Sequence, residues 1–207
     1  MPAHPDRSSL AVKRAFDVVV AALLLVPGVV IMAAVAVAIL LESPGPVLFR
    51  QDREGRHGRV FRINKFRSMT VGAERHGPVM SMADPRITRV GGFIRRTSLD
   101  ELPQLFNVLA GEMSLVGPRP LLPGTTRPHE RRRLEVRPGM TGLVEVRHPD
   151  RMSWDERMRV DIEYVERWSL WLDLTILVRT IGVLSSRKDV LDTPRPDGTG
   201  LDPEGNA

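Results

Sequence analysis

From Val18 to Leu41 the chain is apolar at 22 of 24 positions, interrupted by Pro27 and Gly28 alone. A run with no polar face reads as a membrane segment rather than as the amphipathic helix of a water-facing domain. As a straight helix it would extend about 36 Å, enough to cross a hydrocarbon core of roughly 30 Å. Pro27 removes a backbone donor, and its ring meets the carbonyl of Leu23, so the pattern predicts a sharp bend at Pro27 and Gly28. The two legs would be about 13 and 20 Å long, each too short to cross unaided. Arg7, Lys13 and Arg14 precede the segment, and Arg50, Arg53, Arg56 and Arg59 follow it, so positive charge marks both ends as cytoplasmic. A segment with two cytoplasmic ends enters and returns. A re-entrant helix-break-helix over residues 13–42 is therefore the expected topology, with a straight span or a cleaved signal peptide as the alternatives.

Beyond Glu42-Ser-Pro-Gly-Pro46, a turn, the apolar positions become sparse and periodic. Val47–Arg50 and Arg59–Phe66 read as short strands about Gly55 and Gly58. Ser68–Asp84 is polar and reads as loop; Ile87–Arg96 and Leu102–Leu109 carry helical stripes, the second stopped by Gly111. Val116-Gly-Pro-Arg-Pro120 is a stiff loop, Leu121–Arg137 a basic, partly helical stretch, and Thr141–Val146 a strand. Trp154–Leu184 has helical spacing in two parts, with Trp168 and Trp171 at the junction, where indole rings suit a membrane interface. From Asp189 onward Pro, Gly and Asp dominate, the composition of a disordered tail. Four regions result: a flexible N-terminus 1–12, the membrane segment 13–42, a folded domain 43–188 and the tail 189–207. The expected fold class is α/β with helices dominating.

Composition narrows the chemistry. The chain has 207 residues, a net charge of +5 and no cysteine, so disulfides and thiolate catalysis are excluded. Of its 30 cations only Lys13, Lys65 and Lys188 are lysine, and guanidinium groups favour bidentate contact with phosphate or carboxylate. There is no phosphate loop, dinucleotide fingerprint, nucleophile elbow or His pair at metal-ligand spacing.

The densest polar constellation is Arg95-Arg-Thr-Ser-Leu-Asp100-Glu101-Leu-Pro-Gln104. Ser98 and Glu101 have the spacing of a capping box, but Pro103 would then sit inside the first turns. A helix starting nearer Asp100 removes that conflict and sets a carboxylate at a helix mouth beside Arg95 and Arg96. Pro118 and Pro120 hold Arg119 on a stiff loop, suited to gripping a phosphate. Lys65, in Asn64-Lys-Phe-Arg67, is a third candidate. The run Arg131-Arg-Arg133 could face solvent, nucleic acid or anionic lipid.

In this order the motifs resemble the bacterial sugar transferases of the monotopic phosphoglycosyl transferase family, in its short form. The matching residues are Lys13-Arg-Ala-Phe-Asp17, Phe49-Arg-Gln-Asp-Arg53, Lys65-Phe-Arg-Ser-Met69, Ser98 to Leu109 with Gly111, Gly117-Pro-Arg-Pro120, Arg137-Pro-Gly-Met-Thr-Gly142, Tyr164-Val165 and Leu172-Asp173. The resemblance implies a catalytic domain on the cytoplasmic face of the bacterial inner membrane, with interfacial amphipathic helices. It also implies transfer of a sugar 1-phosphate from a nucleoside-diphosphate sugar, such as a UDP-sugar, to polyprenyl (undecaprenyl) phosphate, starting glycan or exopolysaccharide assembly. Asp100 would attack the sugar-linked phosphate and hold phosphosugar covalently. Glu101 would assist with metal or proton handling, and both carboxylates would hold Mg2+. Lys65, Arg95 and Arg119 would bind phosphate. Membrane lipid is an implied partner, nucleic acid is not, and a homodimer is one possible assembly. The family often carries Ser-Pro at its membrane bend, whereas Val26 precedes Pro27 here. A non-catalytic membrane-anchored adaptor would account for anchor and charge, but not for Asp100-Glu101 beside Arg119.

Overall fold

The computed structural model describes residues 7–73, 84–147 and 152–186. The tail 189–207, residues 1–6 of the N-terminus and the greater part of the polar stretch 68–84 lie outside the described residues. Helix α1 runs Arg7–Glu42 as one helix with Pro27 inside it. The chain thus stays helical through Pro27 and Gly28: proline removes one hydrogen bond, while each neighbouring residue still adds its own. The helix also begins ahead of residue 13.

One stripe of α1 is buried along its whole length. Lys13, Asp17, Ala21, Gly28, Met32, Val35 and Ile39 are inward, at spacings of three, four or seven. Ala21 joins a core with Leu105, Met113, Leu115, Tyr164 and Ile176. Met32, Val35 and Ile39 form a second with Phe66 and Ile94, and Leu25 packs against both. The opposite face is apolar and exposed, Leu23 by 66%, Val26 by 75% and Val30 by 73%. In water such a surface would be a liability, so the pattern calls for lipid on that side.

Strands β1 (Leu48–Glu54) and β2 (Val60–Phe66) form an antiparallel hairpin pairing Leu48 with Phe66 and Glu54 with Val60. Its turn uses left-handed backbone at His57 (φ 59°) and Gly58 (φ 74°). Helix α2 (Arg89–Arg96) is capped twice: Thr88 Oγ1 accepts from Gly91 N at 2.9 Å, and the Glu42 carboxylate accepts from Arg89 N at 2.7 Å and Val90 N at 2.9 Å. The end of α1 therefore organises the start of α2. A 3-10 turn, Leu99–Glu101, leads to α3 (Gln104–Ala110), which stops at Gly111 in the left-handed conformation.

Strand β3 (Ser114–Val116) pairs in parallel with β4 (Gly139–Thr141). The strand expected over Thr141–Val146 lies earlier and is shorter. A Cβ on Gly139 would come within 2.1 Å of Gly117 N, and one on Gly142 within 2.4 Å of Gly117 O. Backbone packs on backbone there, and the chain turns immediately after Thr141. A 3-10 segment, Pro128–Glu135, lies within the basic stretch. Helix α4 (Trp154–Arg167) carries a Ser153/Glu156 capping box, and α5 (Leu170–Ser186) completes the domain.

A buried polar network fixes α1 to α5. Lys13 Nζ donates to Asp173 Oδ2 at 2.6 Å and Val116 O at 3.1 Å, Tyr164 donates to Asp173 Oδ1 at 2.8 Å, and Trp168 Nε1 to Asp173 Oδ2 at 3.2 Å. Asp17 accepts from Ser114 Oγ at 2.8 Å and Leu115 N at 3.2 Å. The two tryptophans thus divide: Trp168 is tied inward, whereas Trp171 is 77% exposed on the outer face of α5 with Val178 and Ile181.

Candidate active site

Asp100 and Glu101 stand on the 3-10 turn four and three residues ahead of α3, rather than at the mouth of an α-helix. Ser98 makes no capping hydrogen bond and takes a left-handed conformation, φ 55°, rare for a residue with a side chain. The capping-box spacing at Ser98 is thus coincidental; the box forms at Ser153. The strained turn instead ends α2 and aims the two adjacent carboxylates toward β2. There Lys65 Nζ meets Glu101 Oε1 at 2.9 Å, both side chains about three-quarters buried.

Asp100 is half-buried, and its carboxyl is pushed up from 3.8 to about 6. Burial is the largest cause; Lys65 opposes it, Glu101 adds to it, and Arg95 opposes it in turn. A carboxylate raised by burial and a like neighbour, then partly restored by two cations, is the environment of a group held for reaction rather than for stability. Arg95 is oriented by Ser68, whose Oγ accepts from Arg95 Nε at 2.8 Å. That contact depends on Gly91: any Cβ there would lie 1.9 Å from Ser68 O. Of the glycine pair that interrupts the apolar stripe of α2, Gly91 is the one that lets this helix approach the end of β2; a Cβ on Gly92 would meet nothing closer than 3.6 Å.

Arg119 stands at a second cluster. Its backbone carbonyl accepts from Arg133 Nη2, and Arg133 Nη2 also donates to Asp161 Oδ2 at 2.7 Å, an ion pair almost wholly buried. Arg119 Nη1 lies 3.8 Å from Glu145 Oε1, with the Arg119 side chain 40% exposed and that of Glu145 12%. Burial pushes the Glu145 carboxyl up, Arg119 draws it back, and Asp161 and Glu101 push it further up. Glu101 is thus close enough to Glu145 for the two clusters to share one electrostatic field.

The structure therefore gathers Lys65, Arg95, Asp100 and Glu101 into one site and sets Arg119 in a second cluster with Glu145, whose carboxyl also feels Glu101. Pro27 and Gly28 lie apart, within α1. Ser68, Glu145 and Asp161 carry no role from sequence, and Arg133, read there as part of a run facing solvent, nucleic acid or anionic lipid, is instead buried and paired with Asp161. Glu145 had one legible signal, an acid set between Leu143-Val144 and Val146; the Arg133–Asp161 pair, 28 residues apart, had none. Among the described residues, no group of three His, Cys, Asp or Glu gathers as a metal cage.

Comparison with known proteins places the chain in a family. The chain is 46% identical over 164 residues to a UDP-glucose:undecaprenyl-phosphate glucose-1-phosphate transferase of Xanthomonas campestris pv. campestris, a match covering 72% of this chain and 34% of the relative. A Caulobacter vibrioides protein of the same description is 45% identical over 183 residues, covering 82% and 68%. A UDP-N-acetylgalactosamine-undecaprenyl-phosphate N-acetylgalactosaminephosphotransferase of Aeromonas hydrophila is 43% identical over 180 residues, covering 82% and 43%. The chain thus spans about a third of the length of the Xanthomonas relative and two thirds of that of the Caulobacter one. The profile described as bacterial sugar transferase matches residues 8–187, through both clusters of the site, and the chain belongs to that family.

Proposed function

We propose that this protein transfers a sugar 1-phosphate from a UDP-sugar to undecaprenyl phosphate at the cytoplasmic face of the bacterial inner membrane. The observation that carries the reading is Asp100: a half-buried carboxylate raised to about 6, flanked by Lys65, Arg95 and Glu101. Near neutral pH it is ionised yet poorly solvated, which is what a carboxylate nucleophile requires. In the first step Asp100 Oδ attacks the sugar-bearing phosphorus, an Oδ–P bond forms, the bridging P–O bond breaks, and uridine monophosphate leaves. In the second an oxygen of undecaprenyl phosphate attacks the same phosphorus, forming the lipid diphosphate sugar and releasing Asp100. Lys65 and Arg95 offset the charge between carboxylate and diphosphate, and Arg119 grips the departing phosphate.

Mg2+ fits the donor set. It binds through one or two carboxylates and takes its remaining oxygens from water and substrate phosphates, so Asp100 and Glu101 suffice without a third acid. Bound there, it would neutralise diphosphate charge.

The two ends of α1 support a re-entrant topology. Lys13 is held by Val116 and Asp173, and Glu42 by the first turn of α2, so both ends touch one folded domain. A straight helix would separate them by about 44 Å. This favours a segment that enters and leaves on one side, with Trp171, Val178 and Ile181 of α5 resting in the same interface. The relatives' names differ in the sugar they specify, and the hexose of this chain is open.

The test is intact-protein mass spectrometry of the detergent-purified chain with Mg2+ and a panel of UDP-sugars, without lipid acceptor. A phosphosugar adduct on Asp100 with release of uridine monophosphate is expected, and is absent from Asp100→Asn. Transfer to undecaprenyl phosphate with no adduct at any sugar would refute the covalent step.

A further inference from the structure

Glu145 is an anomaly in the cluster beside the active site. Its side chain is largely buried, yet Oε2 has no hydrogen-bond partner, and Oε1 reaches Arg119 only at 3.8 Å, beyond hydrogen-bonding distance. Native structures rarely leave a buried carboxylate oxygen unsatisfied without a functional reason. The oxygen sits beside a close backbone approach: a Cβ on Gly142 would be 2.9 Å from Glu145 Oε2 and 2.4 Å from Gly117 O. The other charges around Glu145 are Asp161, whose own partner is Arg133, and Glu101, whose partner is Lys65; both are acids and repel it. Among the described residues, Arg119 is the cation at ion-pair distance from Glu145, and it favours the charged form. Arg119 is also 40% exposed, on a loop clamped by Gly117 N to Thr141 O and Gly139 N to Pro118 O, both at 2.9 Å, so its backbone is fixed while part of its side chain reaches solvent.

We infer that Glu145 is a built-in competitor for the Arg119 guanidinium, weakening the grip of Arg119 on the donor diphosphate and so hastening release of the nucleotide product. This rests on the reading of Arg119 as a phosphate ligand given above. A buried countercharge at a long distance lowers affinity without abolishing it. An enzyme that must discharge one phosphate product before its second substrate reacts gains turnover from that setting. Glu145 touches no reacting atom in this scheme and acts through Arg119, as a positioning residue.

The experiment measures binding of UDP-glucose and, separately, inorganic pyrophosphate to the detergent-purified full chain with Mg2+, by calorimetry, for wild type, Glu145→Gln, Glu145→Asp and Arg119→Ala/Glu145→Gln against Arg119→Ala. Glu145→Gln is expected to bind both probes about fivefold more tightly, the size of a partly screened ion pair, and to lower KM for the UDP-sugar more than it changes kcat. Glu145→Asp, which keeps the charge, stays within about twofold of wild type, and in the Arg119→Ala background the substitution has no effect. Unchanged or weaker binding by a folded Glu145→Gln protein overturns the inference, as does equal tightening in Glu145→Asp. If pyrophosphate shows the gain while no UDP-sugar binds any variant, the competitor stands and the donor assignment falls.

Discussion

Asp100→Asn should abolish the phosphosugar adduct and, at neutral pH, make the protein more stable. The ordinary aspartate value is 3.8, and the folded value is about 6. The sign follows from linkage: the folded chain binds the proton more tightly than the unfolded one, so stability is lost as pH rises from about 3.8 to about 6. Above that window the charged Asp100 costs about 3 kcal/mol, at 1.36 kcal/mol per pH unit; at pH 5 the cost is about half of this, and by pH 4 it has nearly gone. Asparagine has no proton to lose and keeps the shape. For a chain of this size 1 kcal/mol corresponds to about 2 to 4 °C, so Asp100→Asn should raise Tm by roughly 6 to 12 °C at pH 7.5. The gain should halve at pH 5. Thermal unfolding of both proteins in one detergent, followed by tryptophan fluorescence at pH 7.5, 5 and 4, measures it. A destabilised variant, or a gain independent of pH, would show that Asp100 is not held at an electrostatic cost and would remove the argument for its reactivity.

Further outcomes follow from the same geometry. Release of uridine monophosphate in a single turnover should rise about tenfold per pH unit up to about 6 and level off above 7, in step with ionisation of Asp100. Lys65→Met removes the strongest influence lowering that value, so the limb should move up by about one pH unit and the lost activity should return in part at pH 8.5; a limb that stays in place would show that Lys65 acts only on Glu101. Asp173→Asn leaves the buried Lys13 with Asp17, at 4.0 Å, as its remaining countercharge and should destabilise the protein by about 2 to 4 kcal/mol, read as a fall in Tm with the membrane-bound fraction of the folded protein unchanged. Gly91→Ala sets a methyl group 1.9 Å from Ser68 O, so α2 must move and Arg95 lose Ser68; adduct formation should fall at least tenfold in protein that still sediments with the membrane, and full activity would contradict the role given to that contact.

What the sequence discloses here is uneven, for physical reasons. The helices α3, α4 and α5 follow from periodic apolar positions and a glycine stop, because those signals are local. The hairpin is legible from Gly55 and Gly58, with β1 running past Arg50 because Gln51, Asp52 and Arg53 pair across it while facing polar surroundings. Strand β4 was misplaced because its ends are set by contacts between Gly117, Gly139 and Gly142, which only the folded chain brings together. Asp100, Glu101, Lys65 and Arg95 stood out as charged residues in dense or unusual settings, and they meet. Ser68 and Glu145 act through single atoms, an Oγ at 2.8 Å and a carboxylate oxygen without a donor, and composition or spacing carries no trace of such contacts.

The stripe of α1 that lines both cores bears on how this protein comes into being. Ala21, Met32, Val35 and Ile39 are interior residues of the folded domain, contributed by the same helix whose other face needs lipid. A version beginning after Glu42, cut to make a water-soluble catalyst, would lack part of its own interior and present Phe66, Ile94 and Leu105 to solvent. If α1 inserts as proposed, insertion and folding are coupled: the residues that close both cores are carried by the helix that the bilayer receives, so the domain is complete only once that helix is in place.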